Sequence, residues 1–325
     1  MTDSASQVAP AVAPDSAAGA DGAPEARATA LGWWQWLSFT CVRGCLRVHL
    51  AVWGLGGLEV GCRFFGTLEY AINYKRRRRV RKMLRKVLGE EVSAAELRRR
   101  SRAHFVRQRC DKAFYLVCDM LSTEAIRARF EIVNGELLDA GLARGKGVYA
   151  LLSHHGPHHI TGLTMSLMGY RVAGIRDPNE GPLRTYIQSL WTKRHTELTP
   201  AKVLYTTDFV RGIYRLLRDN YALGSALDVS RVRDERLKTM PVRIYGEQRE
   251  FLTGTLQIAL RCRAAIVQAF IVAEDGFRYR LEFLGPMADP DRESESDALL
   301  GDVLQRYADN IATYARRYPE QITRV

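Results

Sequence analysis

From about residue 145 to 284, short apolar runs alternate with stretches of helical period. "GKGVYALLS", "YRVAGI", "AKVLYT" and "YALGSALDV" read as strands, with "TDFVRGIYRLLRDN" among the helical patterns between them. "MPVRIYG" reads as a fifth strand, followed by the helix "TGTLQIALRCR". "AAIVQAFIVAEDGFRYRLEFL" then reads as a hairpin turning at Asp275-Gly276, and a helix closes the chain over roughly 294–317. Uniformly apolar strands must be covered on both faces, and helices between successive strands are what cover them. The expected fold is therefore α/β, a mixed, mostly parallel sheet flanked by helices.

The N-terminal third has a different character. Residues 1–29 are rich in Ala, Pro, Asp and Ser and carry too few large apolar groups to offset their ordering entropy, so a disordered tail is expected. They also lack the basic start and apolar run of a secretory signal. Residues 30–74 are expected to form an apolar, membrane-anchoring helical segment, with residues 75–325 as the α/β domain. Arg43, Arg47, Glu59 and Arg63 interrupt the apolar run at 31–68, and Trp33, Trp34 and Trp36 form an interfacial aromatic cluster. A helix embedded in a membrane or lying in its plane fits these residues best, with a core helical hairpin as the alternative.

Nine Lys or Arg follow between positions 75 and 86, and the whole chain carries a net charge of +12. Beside an apolar segment, such a run suits an anionic membrane surface. Nucleic acid is the rival partner, but no recognition fold is visible and no aromatics are interleaved with these charges, so none is expected. Ser93 and Glu96 form a capping box that opens a helix to about Met120, and a short helix follows from Ser122 to about Phe130. The six cysteines show no CxxC spacing and read as free thiols.

One turn gathers most of the chemistry-bearing residues. "SHHGPHHIT", residues 153–161, holds four of the seven histidines at the end of the first strand. Open α/β sheets bind ligands beyond the carboxyl ends of their strands. His154 emerges straight from such an end, Gly156 allows a sharp turn and Pro157 stiffens it, as a rigidly held general base requires. His154/His158 and His155/His159 have the i, i+4 spacing of a helical zinc site, but the Gly-Pro pair opposes a regular helix there, so no metal is expected. There is no GxSxG elbow, phosphate-binding P-loop or dinucleotide fingerprint, and no cofactor is expected.

Residues 76–318 resemble the lauroyl/myristoyl acyltransferases of lipid A biosynthesis, within the wider glycerophospholipid acyltransferase group. The resemblance runs through "RRRRVRKMLRKVLGEEVSAAELRRRSRAHF", "VNGELLDAGLARGKGVYALLSHHG", "GIRDPN", "LGSALDVS" and "VRIYGEQREFLTGTLQIALRCRAAIVQAFIV". It implies an enzyme of the inner membrane, its active site facing the cytoplasm. Such an enzyme moves an acyl chain from an acyl carrier protein or coenzyme A thioester to a hydroxyl of a glycolipid acceptor. The signature of that group is His-x4-Asp/Glu, which lays His154 on the catalytic histidine and Gly156 on the motif glycine. The acidic place falls on His159, and the usual Asn-Trp pair becomes Pro157-His158.

This departure leaves three readings: a weakened enzyme in which His159 orients His154, a carboxylate borrowed from elsewhere, or a non-catalytic lipid or acyl-carrier binding protein. Asp228, after the strand "YALGSALDV", is the candidate for borrowing, with capping of the next element as its alternative. The resemblance also gives Arg176 a grip on a phosphate-bearing part of the substrate, a role that a guanidinium fork suits. A salt bridge with Asp177 or Glu180 is the alternative for that residue. Thr253 and Gly254 open a helix whose free amides could hold an anion, or Thr253 is an ordinary N-cap.

Overall fold

The structure, a computed structural model, describes residues 32–176, 182–195, 201–205, 209–229 and 237–323. The tail at 1–29 and the acidic residues Asp177 and Glu180 lie outside the described residues. The chain opens with α1 (Trp33–Ile72), α2 (Tyr74–Leu88) and α3 (Ala94–Val117). After the short α4 (Thr123–Arg127) come β1 (Phe130–Val133), α5 (Glu136–Ala143), β2 (Val148–Leu152) and α6 (Thr161–Leu167). Next are β3 (Val172–Arg176), α7 (Pro182–Arg194), β4 (Lys202–Tyr205), α8 (Phe209–Arg218) and β5 (Ala222–Ala226). The chain ends through β6 (Thr239–Ile244), β7 (Glu247–Leu252), α9 (Gly254–Arg261), β8 (Ala265–Ala273), β9 (Tyr279–Ala288) and α10 (Asp297–Arg317).

Seven strands form one sheet in the order β1-β9-β8-β2-β5-β3-β4. β8, β2, β5, β3 and β4 run parallel, while β9 is antiparallel to β8 and parallel to β1. The β8–β9 hairpin falls where the sequence places it, with Gly276 in the turn at φ +74°. Alternate side chains feed two cores. Val148, Ala150, Val267 and Ile271 pack on the face covered by α1, α3 and α5. Tyr149, Leu151, Ile266 and Phe270 pack on the other face, against α8, α9 and α10. β8 is buried along its full length, which explains a run that is apolar except for Gln268, whose side-chain amide donates to the Tyr307 carbonyl at 3.2 Å.

Two expectations need correction. "MPVRIYG" is a strand, β6, but it leaves the main sheet and pairs antiparallel with β7. The helix expected from Ser122 to about Phe130 stops at Arg127, and Phe130 begins β1. Half of the capping box forms: Ser93 Oγ accepts from the Glu96 amide at 3.1 Å. The Glu96 carboxylate turns away from Ser93 and binds Arg99 and Arg100 instead, at 2.6–2.8 Å.

α1 is two helical pieces joined at Gly54, whose φ of +64° and ψ of −167° break the spiral. Its apolar side chains largely face outward: Trp34, Val48, Val52, Trp53, Val60 and Phe64 are each more than half exposed. Several of its charges face the body. Arg43 forms a two-pronged bond to the buried Asp119 at 2.8 and 2.9 Å, and Glu59 binds Arg63 at 2.8 Å and the Gly276 amide at 3.0 Å. Gly66 lets α1 touch α3, because a Cβ there would lie 2.7 Å from the Val106 Cα. Among the described residues no helix is long and apolar enough to cross a membrane.

Candidate active site

β2 and β5 are neighbours in register, with Val148 opposite Ala222 and Leu152 opposite Ala226. Continuing the same offset by two residues brings His154 beside Asp228. The Asp228 carboxylate takes two hydrogen bonds from His154, one from the backbone amide to Oδ2 and one from ring Nδ1 to Oδ1, both at 2.9 Å. The Tyr307 hydroxyl from α10 supports this pair. It accepts from the Leu227 amide at 3.2 Å, donates to the Leu152 carbonyl at 2.5 Å and lies 3.2 Å from Asp228 Oδ1.

Burial alone would raise the Asp228 pKa. The hydrogen bond and charge of the His154 ring, with its amide, outweigh burial and hold the carboxyl below its ordinary value. Asp228 is therefore an anion at neutral pH. An anion at Nδ1 keeps the proton on that nitrogen and leaves the lone pair on Nε2. The His154 side chain is 15% exposed.

The other three histidines of the turn do different work. His155 donates from Nε2 to the Tyr318 carbonyl at 3.2 Å, and burial pushes its pKa down to about 4. His158 donates from Nδ1 to the Gly156 carbonyl at 3.4 Å, and its ring stands edge-on to His154 at 5.1 Å. Desolvation, His159 and His154 hold it well below its ordinary pKa. His159 packs its ring on Tyr115 at 4.6 Å, and burial with the charges of Arg184 and Lys112 pushes its pKa to about 3. The expectation that His159 takes the acid's place beside His154 therefore gives way to Asp228, which makes the Nδ1 contact. His159 is a neutral packed ring. Among the described residues no three His, Cys, Asp or Glu gather as a metal site would require.

Gly156 is a hinge of the turn. Its φ is +64°, and a Cβ there would lie 2.0 Å from the Ile271 carbonyl oxygen. The chain's C-terminal end clamps the turn: the Gly156 amide donates to the Gln321 carbonyl at 2.8 Å, and the Thr323 amide donates to the His154 carbonyl at 3.2 Å. The motif glycine, Gly156, thus sets the backbone of the turn, as its sharp-turn reading expects.

Arg176 ends β3, beside β5, and binds Gln188 of α7. It lies on the same sheet edge as His154 and Asp228. The Leu252 amide donates to the Leu227 carbonyl at 3.3 Å, which brings Thr253 and Gly254 to the strand end that carries Asp228. Thr253 is buried and makes no capping bond. Sequence reasoning missed Tyr307. Its signal is an ordinary core position on a helical stripe, and nothing local marks its hydroxyl as the partner of two strand ends.

The family model for bacterial lipid A biosynthesis acyltransferases matches residues 46–323. The chain belongs to that family. A search of curated proteins finds no match. Membership in this lipid A acyltransferase family carries a general acyltransferase role with a lipid A-like acceptor. The matched span contains the whole sheet and both members of the His154–Asp228 pair.

Proposed function

We propose that this family member transfers a fatty acyl chain from an acyl carrier protein or coenzyme A thioester to a glycolipid hydroxyl, with His154 as general base. The observation that carries the reading is the 2.9 Å contact between His154 Nδ1 and an ionised Asp228 at the carboxyl edge of the sheet. Nε2 takes the proton of the acceptor hydroxyl as its oxygen attacks the thioester carbonyl carbon. The tetrahedral oxyanion then collapses, the carbon–sulfur bond breaks, and the departing thiolate takes the proton back from Nε2. Asp228 stabilises the imidazolium between these steps and fixes the ring's tautomer, the part a carboxylate plays beside a catalytic histidine elsewhere. Arg176 and the first amides of α9 are the candidates for holding the oxyanion or a substrate phosphate.

The site works at the cytoplasmic face of the inner membrane on this reading. Support comes from the outward apolar side chains of α1, with Trp33, Trp34 and Trp36 at its start, and from the basic α2 that follows. An in-plane attachment suits a helix of this kind. The test is acyl transfer by the purified chain in detergent. His154→Ala should lower turnover by roughly 10²–10⁴, and Asp228→Asn should cost up to about 10⁴. His159→Ala should cost far less than either. Equal losses at His159 and Asp228 would return the supporting role to His159, and an inert wild type with every thioester offered would refute the enzyme reading.

A further inference from the structure

α2 carries more positive charge than the fold neutralises. Arg76 and Lys86 reach Glu69 and Glu247, and Arg77 donates to the Tyr70 and Ala71 carbonyls. Arg81 donates to the Tyr70 hydroxyl. The Nε atoms of Arg77 and Arg81 are buried with no hydrogen-bond partner among the described residues. Arg78 and Lys82, one turn apart on the same face, make no hydrogen bond or ion pair among the described residues. These cations line a cleft of about 1360 Å³.

The cleft has two chemically different ends. Cations dominate the α2 side, while Tyr245 and Thr323 line it beside the catalytic turn. Thr323 binds the His154 carbonyl directly. Tyr245 is near enough to Asp228 that burial and that charge together raise its hydroxyl pKa. A ligand lying along the cleft would place an anionic group on α2 and its other end at Tyr245 and Thr323, beside the turn that carries His154.

Resting on the thioester reading above, we propose that this cleft receives the phosphopantetheine arm of the acyl donor. Its phosphate is held by Arg78 and Lys82, and its thioester is delivered to His154 past Thr323. The arm is common to coenzyme A and to acyl carrier proteins: a phosphate, then a neutral amide-bearing chain, then sulfur. The phosphate suits the unpaired cations of the α2 side, and the amide chain suits Tyr245 and Thr323, beside which Glu247 is already paired with Lys86. A bilayer headgroup is the competing anion, but a concave cleft whose lining residue Thr323 holds the His154 carbonyl favours a ligand that extends toward the catalytic turn.

The experiment uses the full chain in detergent and calorimetric titration with free phosphopantetheine, coenzyme A and a phosphopantetheinylated acidic carrier protein. Wild type should bind free phosphopantetheine and at least one of the two carriers. The Arg78→Glu, Lys82→Glu double variant should bind at least about tenfold more weakly, with an unchanged melting transition because both side chains are exposed and unbonded. Binding to coenzyme A alone or to the carrier protein alone supports the cleft equally and identifies the donor. The proposal fails if wild type binds none of the three, or if the double variant binds as well as wild type. Loss of phosphatidylglycerol-vesicle binding with donor affinity retained also overturns it, and makes the cleft a headgroup site. Donor binding by a wild type that transfers no acyl group would refute the catalytic reading and leave this one standing.

Discussion

At the scale of single residues, four neighbouring imidazoles are separated into one carboxylate-bonded ring and three packed rings by what each touches. Only His154 has a carboxylate; His155, at 3% exposure, has a carbonyl and aromatic walls from Phe270 and Tyr314. That difference predicts a pH signature of stability. The folded-state pKa of His155, about 4, lies below its unfolded value near 6.5, so the unfolded chain binds the extra proton first. Stability contributed by keeping this ring neutral is complete above pH 6.5. It falls by about 1.4 kcal/mol per pH unit down to about pH 4, roughly 3 kcal/mol in all. His104, also buried with a pKa near 4, acts in the same window and direction. Asp228 acts in the same direction at lower pH: its lowered pKa gives stability that is complete above the unfolded carboxylate value and is lost only in stronger acid. Urea midpoints measured from pH 7 to 4 should fall steadily, and His155→Phe should flatten the slope even though it forfeits the Tyr318 bond. Gly156→Ala should cost more than about 3 kcal/mol, because positive φ and the Ile271 carbonyl oppose the methyl together. Thermal melting is the check, and a loss below 1 kcal/mol would mean that the turn can relax.

At the scale of elements, the attachment of α1 depends on a few inward polar contacts as well as on packing. Asp119 is 4% exposed and its principal cation is Arg43. Removing Arg43 leaves a buried charge, which typically costs 3–5 kcal/mol. Arg43→Ala should therefore loosen α1 from α3, seen as protease cleavage within α1 at lower denaturant. Pairing Arg43→Met with Asp119→Leu should recover most of the loss, an outcome that a purely steric role for Arg43 would not produce. The elements themselves differ in how legible they are. β2, β5 and β8 are readable because burial on both faces demands apolar runs. β7 reads "EQREFL", and only its pairing with β6 makes it a strand. β1 has four residues and follows a good Ser N-cap, so local signals extend the helix across it. His154 is legible from its place after a strand, and Asp228 from its place after another. Their partnership needs the β2–β5 register, and nothing in a run of letters says which two strands will be neighbours. The His-x4-Asp/Glu signature of the resembled family pointed to His159 instead, and in the folded turn that ring packs on Tyr115.

At the scale of the whole molecule, hydrophobicity and charge are arranged along the first two helices in a way that separates two binding forces. The exposed side chains of α1 are mainly apolar, and burying such surface contributes about 25 cal/mol per Å², a term that salt does not weaken. The surplus cations of α2 act through a screened field whose reach shrinks to about 3 Å at 1 M salt. On the in-plane reading of α1, attachment to vesicles should show both components. Binding should be stronger to anionic than to neutral lipid at low salt, should lose that preference near 1 M, and should keep a salt-resistant remainder. Val52→Glu with Phe64→Glu, on exposed positions away from the dyad, should remove the remainder and spare the salt-sensitive part. A chain held by charge alone would instead leave the vesicles completely at high salt, and these two substitutions would change little. Co-sedimentation across a salt series distinguishes the cases. On the proposed acyl-transfer reading the salt-resistant remainder is the quantity that matters for catalysis, because an acceptor whose acyl chains stay in the bilayer would meet His154 only if the protein stays there between turnovers.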